Sequence, residues 1–165
     1  MSQIQIRQAS VADSVAIMQI YNHEVEHSTS TFDLQPRSEQ AQRAWIDSRS
    51  GALSVLVAET IDAGVIGFAG LSKYRERAAY NSTVENSVYV DRKHRRCGVG
   101  KLLLTNLLDI ATTSGFHTVI ARIDPTNTAS TELHEALGFV PVGVEREIGR
   151  KFGRWLDSAI LQKML

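Results

Sequence analysis

Polar and apolar residues alternate in "QIQIRQA" near the start of the chain, the period-two pattern of a half-buried strand. Ser10 with Asp13 then offers a capping box for a helix running to about Glu26. The polar stretch "STSTFDLQP" ends in Pro36 and reads as a loop, after which Ser38 caps a short helix carrying Trp45 and Ile46. "LSVLVAET" and "VIGFAGLSK", joined by "IDAG", predict an antiparallel hairpin, and "TVENSVYV" is the next strand. After Gly100 the spacing turns helical. Leu103, Leu107 and Ala111, flanked by Leu104, Leu108 and Ile110, make a broad apolar face that Gly115 stops. "HTVIARI" predicts a strand, "ASTELHEALG" a short helix closed by Gly138, and "FVPVGVEREI" and "WLDSAILQKML" two late strands. The sum is a mixed α/β (α+β) sheet flanked by helices, with parallel pairing around the 100–115 helix, because a strand–helix–strand crossover needs it.

A chain of 165 residues with 43% hydrophobic content supports one sizeable core, so a single domain over 1–165 is expected. No repeat, low-complexity tract or charge block marks a linker. Eighteen basic and eighteen acidic residues cancel, which removes any whole-molecule field toward nucleic acid or an anionic membrane; an anion site must be local. One cysteine forms no internal disulfide, no apolar run approaches the roughly 20 residues of a membrane span, and "MSQIQIRQAS" lacks the apolar region of a signal peptide. The expectation is a cytoplasmic protein without a metal.

"RRCGVGKLLL" is the local anion candidate: a basic, glycine-punctuated turn that feeds straight into an apolar helix. A phosphate-binding P-loop would place glycine at Arg95 and Ser or Thr at Leu102, and a dinucleotide fingerprint would place a small residue at Leu103; neither pattern fits. What remains is strand, Arg95-Arg96-Cys97-Gly98-Val99-Gly100-Lys101, helix. Gly98 and Gly100 let the backbone come close to a ligand, and the first-turn amides with Arg96 and Lys101 favour a pyrophosphate. Glu85 stands within an otherwise apolar strand pattern, where a carboxylate has its pKa raised toward that of a useful base.

The R-x-x-G-x-G run after "ENSVYV" resembles the coenzyme A pyrophosphate loop of the GNAT superfamily of N-acetyltransferases. More closely, "TFD", "RERAAYNSTVENSVYV", "LHEALGF" and "GRKFGRWLD", in that order, resemble the phosphinothricin and methionine sulfone (sulfoximine) acetyltransferase family over nearly the whole chain. The resemblance implies a GNAT fold with a central, partly splayed sheet, acetyl-CoA as co-substrate, and direct transfer of the acetyl group to the α-amino group of a small amino acid or analogue.

It also implies roles for individual residues. "TVE" is where the family places its catalytic glutamate, here Glu85. His134 falls where many superfamily members carry a tyrosine near the coenzyme A sulfur, and it is the candidate assisting acid or base. The backbone of Val88, Tyr89 and Val90 pairs with the pantetheine arm and supplies oxyanion donors, and Asn127 matches the asparagine that bonds the same arm. The loop from Arg96 through Cys97 and Val99 to Lys101 cradles the pyrophosphate, with Cys97 only a small residue in it. Arg75, Glu76 and Arg77 read by themselves as a solvated charged turn. In the family this segment lines the acceptor pocket, where an Arg fork suits a carboxylate or an oxidised sulfur or phosphorus group. Phe32, Tyr80, Asn86 and Ser87 are the pocket neighbours. Phe152 and Trp155 of "KFGRWLD" are core, dimer or substrate contacts, and a homodimer is expected. Two alternatives stay open: acetylation of a protein or peptide N-terminus, against which the segments "TFD" and "YRERAAY" favour a closed pocket, and a non-catalytic acyl-CoA-binding protein, against which Glu85 and His134 stand.

Overall fold

The computed structural model describes residues 3–165. In chain order the elements are β1 (Gln5–Gln8), α1 (Ser14–His27), α2 (Glu39–Asp47), β2 (Leu56–Thr60), β3 (Gly64–Lys73), β4 (Thr83–Val90), α3 (Val99–Thr113), β5 (Thr118–Ile123), α4 (Thr128–Ala136), β6 (Val140–Lys151) and β7 (Arg154–Met164). The strands form one seven-stranded sheet in the order β1-β2-β3-β4-β5-β7-β6. Among the described residues the only parallel pair is β4 with β5, joined through α3.

Both faces of the sheet are covered at β2 and β3, which is why "SVLVA" is apolar at successive positions instead of alternating. Leu56, Ala58, Leu71, Val84, Val119 and Ala121 point to α3, where Leu103, Leu104 and Leu107 are buried against them. Val55, Val57 and Phe68 point the other way, to Ile17, Tyr21 and Val25 of α1 and Ile46 of α2. A fully buried Leu or Ile contributes about 2 kcal/mol, so α3 is pinned firmly to β3 and β4. Tyr89 anchors β4 from the opposite side, stacked on Phe68 and edge-on to Tyr21, each at 5.2 Å between ring centroids.

The start of the chain follows its capping chemistry. Asp13 accepts from Ser10 N at 2.8 Å and closes a capping box, but that box caps a short turn, Val11–Asp13, which α1 continues. The Arg7 guanidinium beside it holds the Asp13 carboxyl down at about 2. Ser38 Oγ accepts from Ala41 N at 3.2 Å, as expected of the cap of α2.

Two features shape the functional end of the sheet. The β4–β5 pairing runs only from Thr83↔Thr118 to Glu85↔Ile120. Beyond it, β4 stays with β3 as far as Val90 and β5 stays with β7 as far as Ile123, so the two strands part just past Glu85. The second feature is β6, which extends past the expected end at Ile148 through Gly149, Arg150 and Lys151. A two-residue turn of Phe152 (φ 51°) and Gly153 (φ 75°) lets Lys151 pair directly with Arg154. The β6–β7 register breaks between Glu145 and Gly149, with Glu147 at φ 51°, and this bulge turns Glu145 and Ile148 toward the gap.

Candidate active site

The parted strands open a cleft of about 1290 Å³. One wall is the free edge of β4 from Asn86 to Val90, the other is the end of β5 with α4, and the N-terminus of α3 closes one end. An edge without a partner strand presents backbone N–H and C=O groups that an amide-bearing chain can pair with.

At the mouth, Gly98 caps α3 with φ 81°, a left-handed conformation that L side chains rarely adopt. The amides of Val99, Gly100 and Lys101 that follow have no intrahelical acceptor. Gly100 lines the cleft and also serves packing: a Cβ there would come within 3.2 Å of Leu133 Cδ2, so its bareness lets α3 lie against α4. The basic residues divide as well. Arg95 donates to Glu24 Oε1 at 2.8 Å and Arg92 to the same oxygen at 3.3 Å, tying the loop back to α1. Burial pushes the Glu24 carboxyl up, but Ser28 and the two arginines outweigh it and hold the pKa below its ordinary value. Arg96 and Lys101 are left facing the cleft, as the sequence indicates. Cys97 is exposed and lies outside the lining.

Glu85 sits at the throat where the strands part. Its Oε2 is 3.5 Å from Arg122 Nε, and the same guanidinium pairs through Nη1 with Glu145. Burial pushes the Glu85 carboxyl above its ordinary value; Arg122 opposes the rise and Glu145 reinforces it. On the other face of β4, Asn86 Nδ2 lies 2.9 Å from His134 Nε2, and His134 Nδ1 lies 2.7 Å from the Ser130 carbonyl oxygen. His134 is 3% exposed, not a surface residue, and burial lowers its pKa.

The structure thus brings Glu85, Asn86, Ser87, Val88, Tyr89, Val90, His134, Asn127 and Phe32 to one cleft together with the glycine loop. Asn127 also does the ordinary work of an N-cap, its Oδ1 accepting from Ser130 N at 3.2 Å. Arg75, Glu76, Arg77 and Tyr80 are not brought there. Arg75 stacks over Tyr74 and Tyr80, at 4.9 and 5.5 Å from their ring centres, and with Tyr80 lines a separate hollow of about 230 Å³ beside Phe116. Glu76 and Arg77 are exposed on the turn between β3 and β4.

Three residues escape a reading of the sequence. Arg122 is the lone charge in the apolar strand "HTVIARI", the signal that singles out Glu85 in its own strand. Glu145 carries no such signal. Lys151, within the "GRKFGRWLD" signature, is buried with Nζ donating to the Thr31 carbonyl at 2.9 Å, and so holds the segment that carries Phe32 over the cleft. Among the described residues no group of His, Cys, Asp and Glu is placed to hold a metal, and no helix is long and apolar enough to cross a membrane.

A sheet parted beside a carboxylate, with a helix N-terminus at its mouth, is the architecture of transferases that take an acyl group from a long, phosphate-bearing thioester. The chain belongs to the acetyltransferase (GNAT) family, whose model matches residues 16–139. It is 40% identical over 162 residues to the L-amino acid N-acyltransferase MnaT of Escherichia coli, covering 97% of this chain and 93% of that one. It is 38% identical over 158 residues to an L-methionine sulfoximine/L-methionine sulfone acetyltransferase of Pseudomonas aeruginosa, covering 95% and 92%. The fold superposes with a TM-score of 0.93 on a GNAT superfamily phosphinothricin acetyltransferase from Sinorhizobium meliloti solved with acetyl-CoA, at 36% identity over 100% of this chain and 89% of that one.

Proposed function

We propose that this enzyme transfers an acetyl group from acetyl-CoA to the α-amino group of a small amino acid or analogue of the methionine sulfone, methionine sulfoximine or phosphinothricin type. The observation that carries the reading is the position of Glu85. A carboxylate with a raised pKa stands where a thioester threaded between β4 and β5 from the Gly98 loop would end. Arg96, Lys101 and the first-turn amides of α3 hold the pyrophosphate, and the free edge of β4 pairs with the pantetheine arm.

In the reaction Glu85 takes a proton from the substrate ammonium, directly or through water, and the freed amine attacks the thioester carbonyl carbon. Backbone N–H groups near Val88 steady the oxyanion. The attacking nitrogen, now cationic, gives up a second proton to water, and the carbon–sulfur bond breaks, giving the neutral amide and the coenzyme A thiolate. A thiolate is a much weaker base than an amine anion, so it is the group that leaves, and it recovers its proton from solvent. Holding both reactants in one cleft supplies much of the remaining acceleration.

The acceptor enters beside Phe32, Ser87, Arg122 and Glu145. The edge strand β6 exposes Val140, Val142 and Val144, apolar side chains that a second copy of the chain would cover in a homodimer. The test is a screen of amino acids and analogues with acetyl-CoA, read by thiol release. Turnover on methionine sulfone or a related small amino acid is expected, and coenzyme A binding with no turnover on any amine would overturn the reading.

A further inference from the structure

Glu85 and Asn86 lie on opposite faces of β4, and the pair that Asn86 forms with His134 has donors and acceptors that chemistry assigns. The Ser130 carbonyl oxygen only accepts, so His134 Nδ1, 2.7 Å away, carries the ring proton. Nε2 of the neutral ring is then a bare lone pair, and Asn86 Nδ2, 2.9 Å away, donates to it. An imidazolium would oppose one N–H to another at that contact. The Asn86 amide is therefore held with its nitrogen toward His134 and its carbonyl turned away. Asn86 is 7% exposed and lines the cleft, yet its Oδ1 is buried with no hydrogen-bond partner among the described residues. A buried carbonyl oxygen left in that state is costly, and a donor arriving in the cleft relieves it.

We propose that Asn86 Oδ1 accepts a hydrogen bond from an amide N–H of the pantetheine arm of acetyl-CoA, and that His134 is the positioning residue that fixes the carboxamide for it, not a proton donor to the leaving thiolate. The inference rests on the acetyl-CoA reading above. The donor type follows from what passes the residue: an arm lying along the free edge of β4 carries amide N–H groups, whereas the acceptor amine is on the Glu85 face. His134 has no proton to give toward the cleft, since its single N–H is engaged by Ser130 and its other nitrogen by Asn86.

Calorimetry with coenzyme A, steady-state kinetics and imidazole ¹⁵N spectra test this together. Asn86→Leu should weaken coenzyme A about ten-fold, the size of one ordinary hydrogen bond. His134→Leu should do the same, and the double variant should be no worse than either, because the two residues act as one unit. His134→Gln has a side-chain oxygen that accepts from Asn86 but no titrating proton. It should recover affinity to within about three-fold of wild type and keep kcat within about ten-fold, well short of the 10²–10⁴ that a lost acid–base group costs. The wild-type spectrum should show a neutral ring protonated on Nδ1 at pH 7, a readout that needs no variant to fold. Wild-type affinity in Asn86→Leu, a kcat loss of 10²–10⁴ in His134→Gln with affinity intact, or a proton on Nε2 would each overturn the proposal. Failure of the wild-type protein to bind coenzyme A would instead remove the acetyl-CoA reading beneath it.

Discussion

Arg122 Nε stands 3.5 Å from Glu85 Oε2 while the same guanidinium pairs with Glu145, so one cation is shared between two carboxylates at the throat of the cleft. The sharing tunes the candidate base. Alone beside Glu85, Arg122 would favour the ionised form fully; drawn partly to Glu145, it leaves burial as the largest influence and the Glu85 pKa above its ordinary value.

A pH profile reads this balance directly. The acid limb of kcat/KM, if Glu85 is the base, lies above the ordinary glutamate value of 4.5. Arg122→Met removes the charge that favours the carboxylate, so the limb moves up. Glu145→Gln removes a like charge and releases Arg122 toward Glu85, so the limb moves down. Identical limbs in all three proteins would take Glu85 out of the titrating step.

Glu85→Gln separates chemistry from binding. It should lower kcat by roughly 10²–10⁴, the range for one acid–base group, with coenzyme A affinity unchanged in calorimetry. It should also stabilise the protein. A carboxyl whose folded pKa is raised binds its proton more tightly folded than unfolded, so the stability it contributes is full below the unfolded value of 4.5 and is lost as pH rises through the folded value. The variant should therefore melt higher than wild type at pH 8 and equal to it below that window. Wild-type turnover, or a lower melting point at pH 8, would contradict the assignment.

How much of this arrangement is legible in the chain differs from element to element. Period and capping place the strands, and the need for a crossover around α3 makes β4 and β5 parallel neighbours. Arg122 is within reach of the same logic, because it is the one charge in its strand and shares a sheet face with Glu85 once the pairing Glu85↔Ile120 is known. Register is what the pattern lacks, since one charge in each strand does not by itself say how far β4 is shifted along β5. Glu145 is out of reach for another reason: the bulge between Glu145 and Gly149 ends the period-two alternation by which a strand residue's face is assigned. Arg75 and Arg77 show the converse: the resemblance assigns them to the acceptor pocket, whereas the turn between β3 and β4 carries them away from the cleft, in a direction that no local pattern sets.

The loop at the mouth makes a prediction about backbone conformation. Gly98 holds φ 81° with open space around the place of a Cβ, so a side chain there strains the backbone without clashing. Gly98→Ala should cost about 1–2 kcal/mol of that conformation and weaken coenzyme A by about five- to thirty-fold. Gly98→Val should be worse, because β-branched residues tolerate the left-handed region least. Cys97→Ala should change little, since its exposed thiol makes only a weak contact of 3.5 Å with the Arg95 carbonyl. Equal, small effects at both positions, measured by calorimetry, would mean that the loop does not cradle the ligand.

Lys151 extends the reasoning from the cofactor to the acceptor. Its buried ammonium donates to the Thr31 carbonyl at 2.9 Å and reaches the Glu24 carbonyl at 3.5 Å, joining the hairpin end of β6 to the segment that carries Phe32. Burial pushes its pKa down, while Asp33 and Glu24 counter the fall. Lys151→Met keeps the length and loses both donors. The Glu24 carbonyl keeps Ser28 N at 3.1 Å, but the buried Thr31 carbonyl loses its donor, which costs about 2 kcal/mol and in a chain of this size lowers the melting temperature by about 4–8 °C. The kinetic effect should be one-sided: KM for the amino acid should rise by about ten-fold as the Phe32 segment loosens, with coenzyme A affinity unchanged, because the hydrogen bonds of Lys151 go to the carbonyls of Thr31 and Glu24 and not to the Gly98 loop or the β4 edge. Parallel losses for both substrates would show that Lys151 supports the whole cleft, and a lower melting point with unaltered KM would confine it to stability.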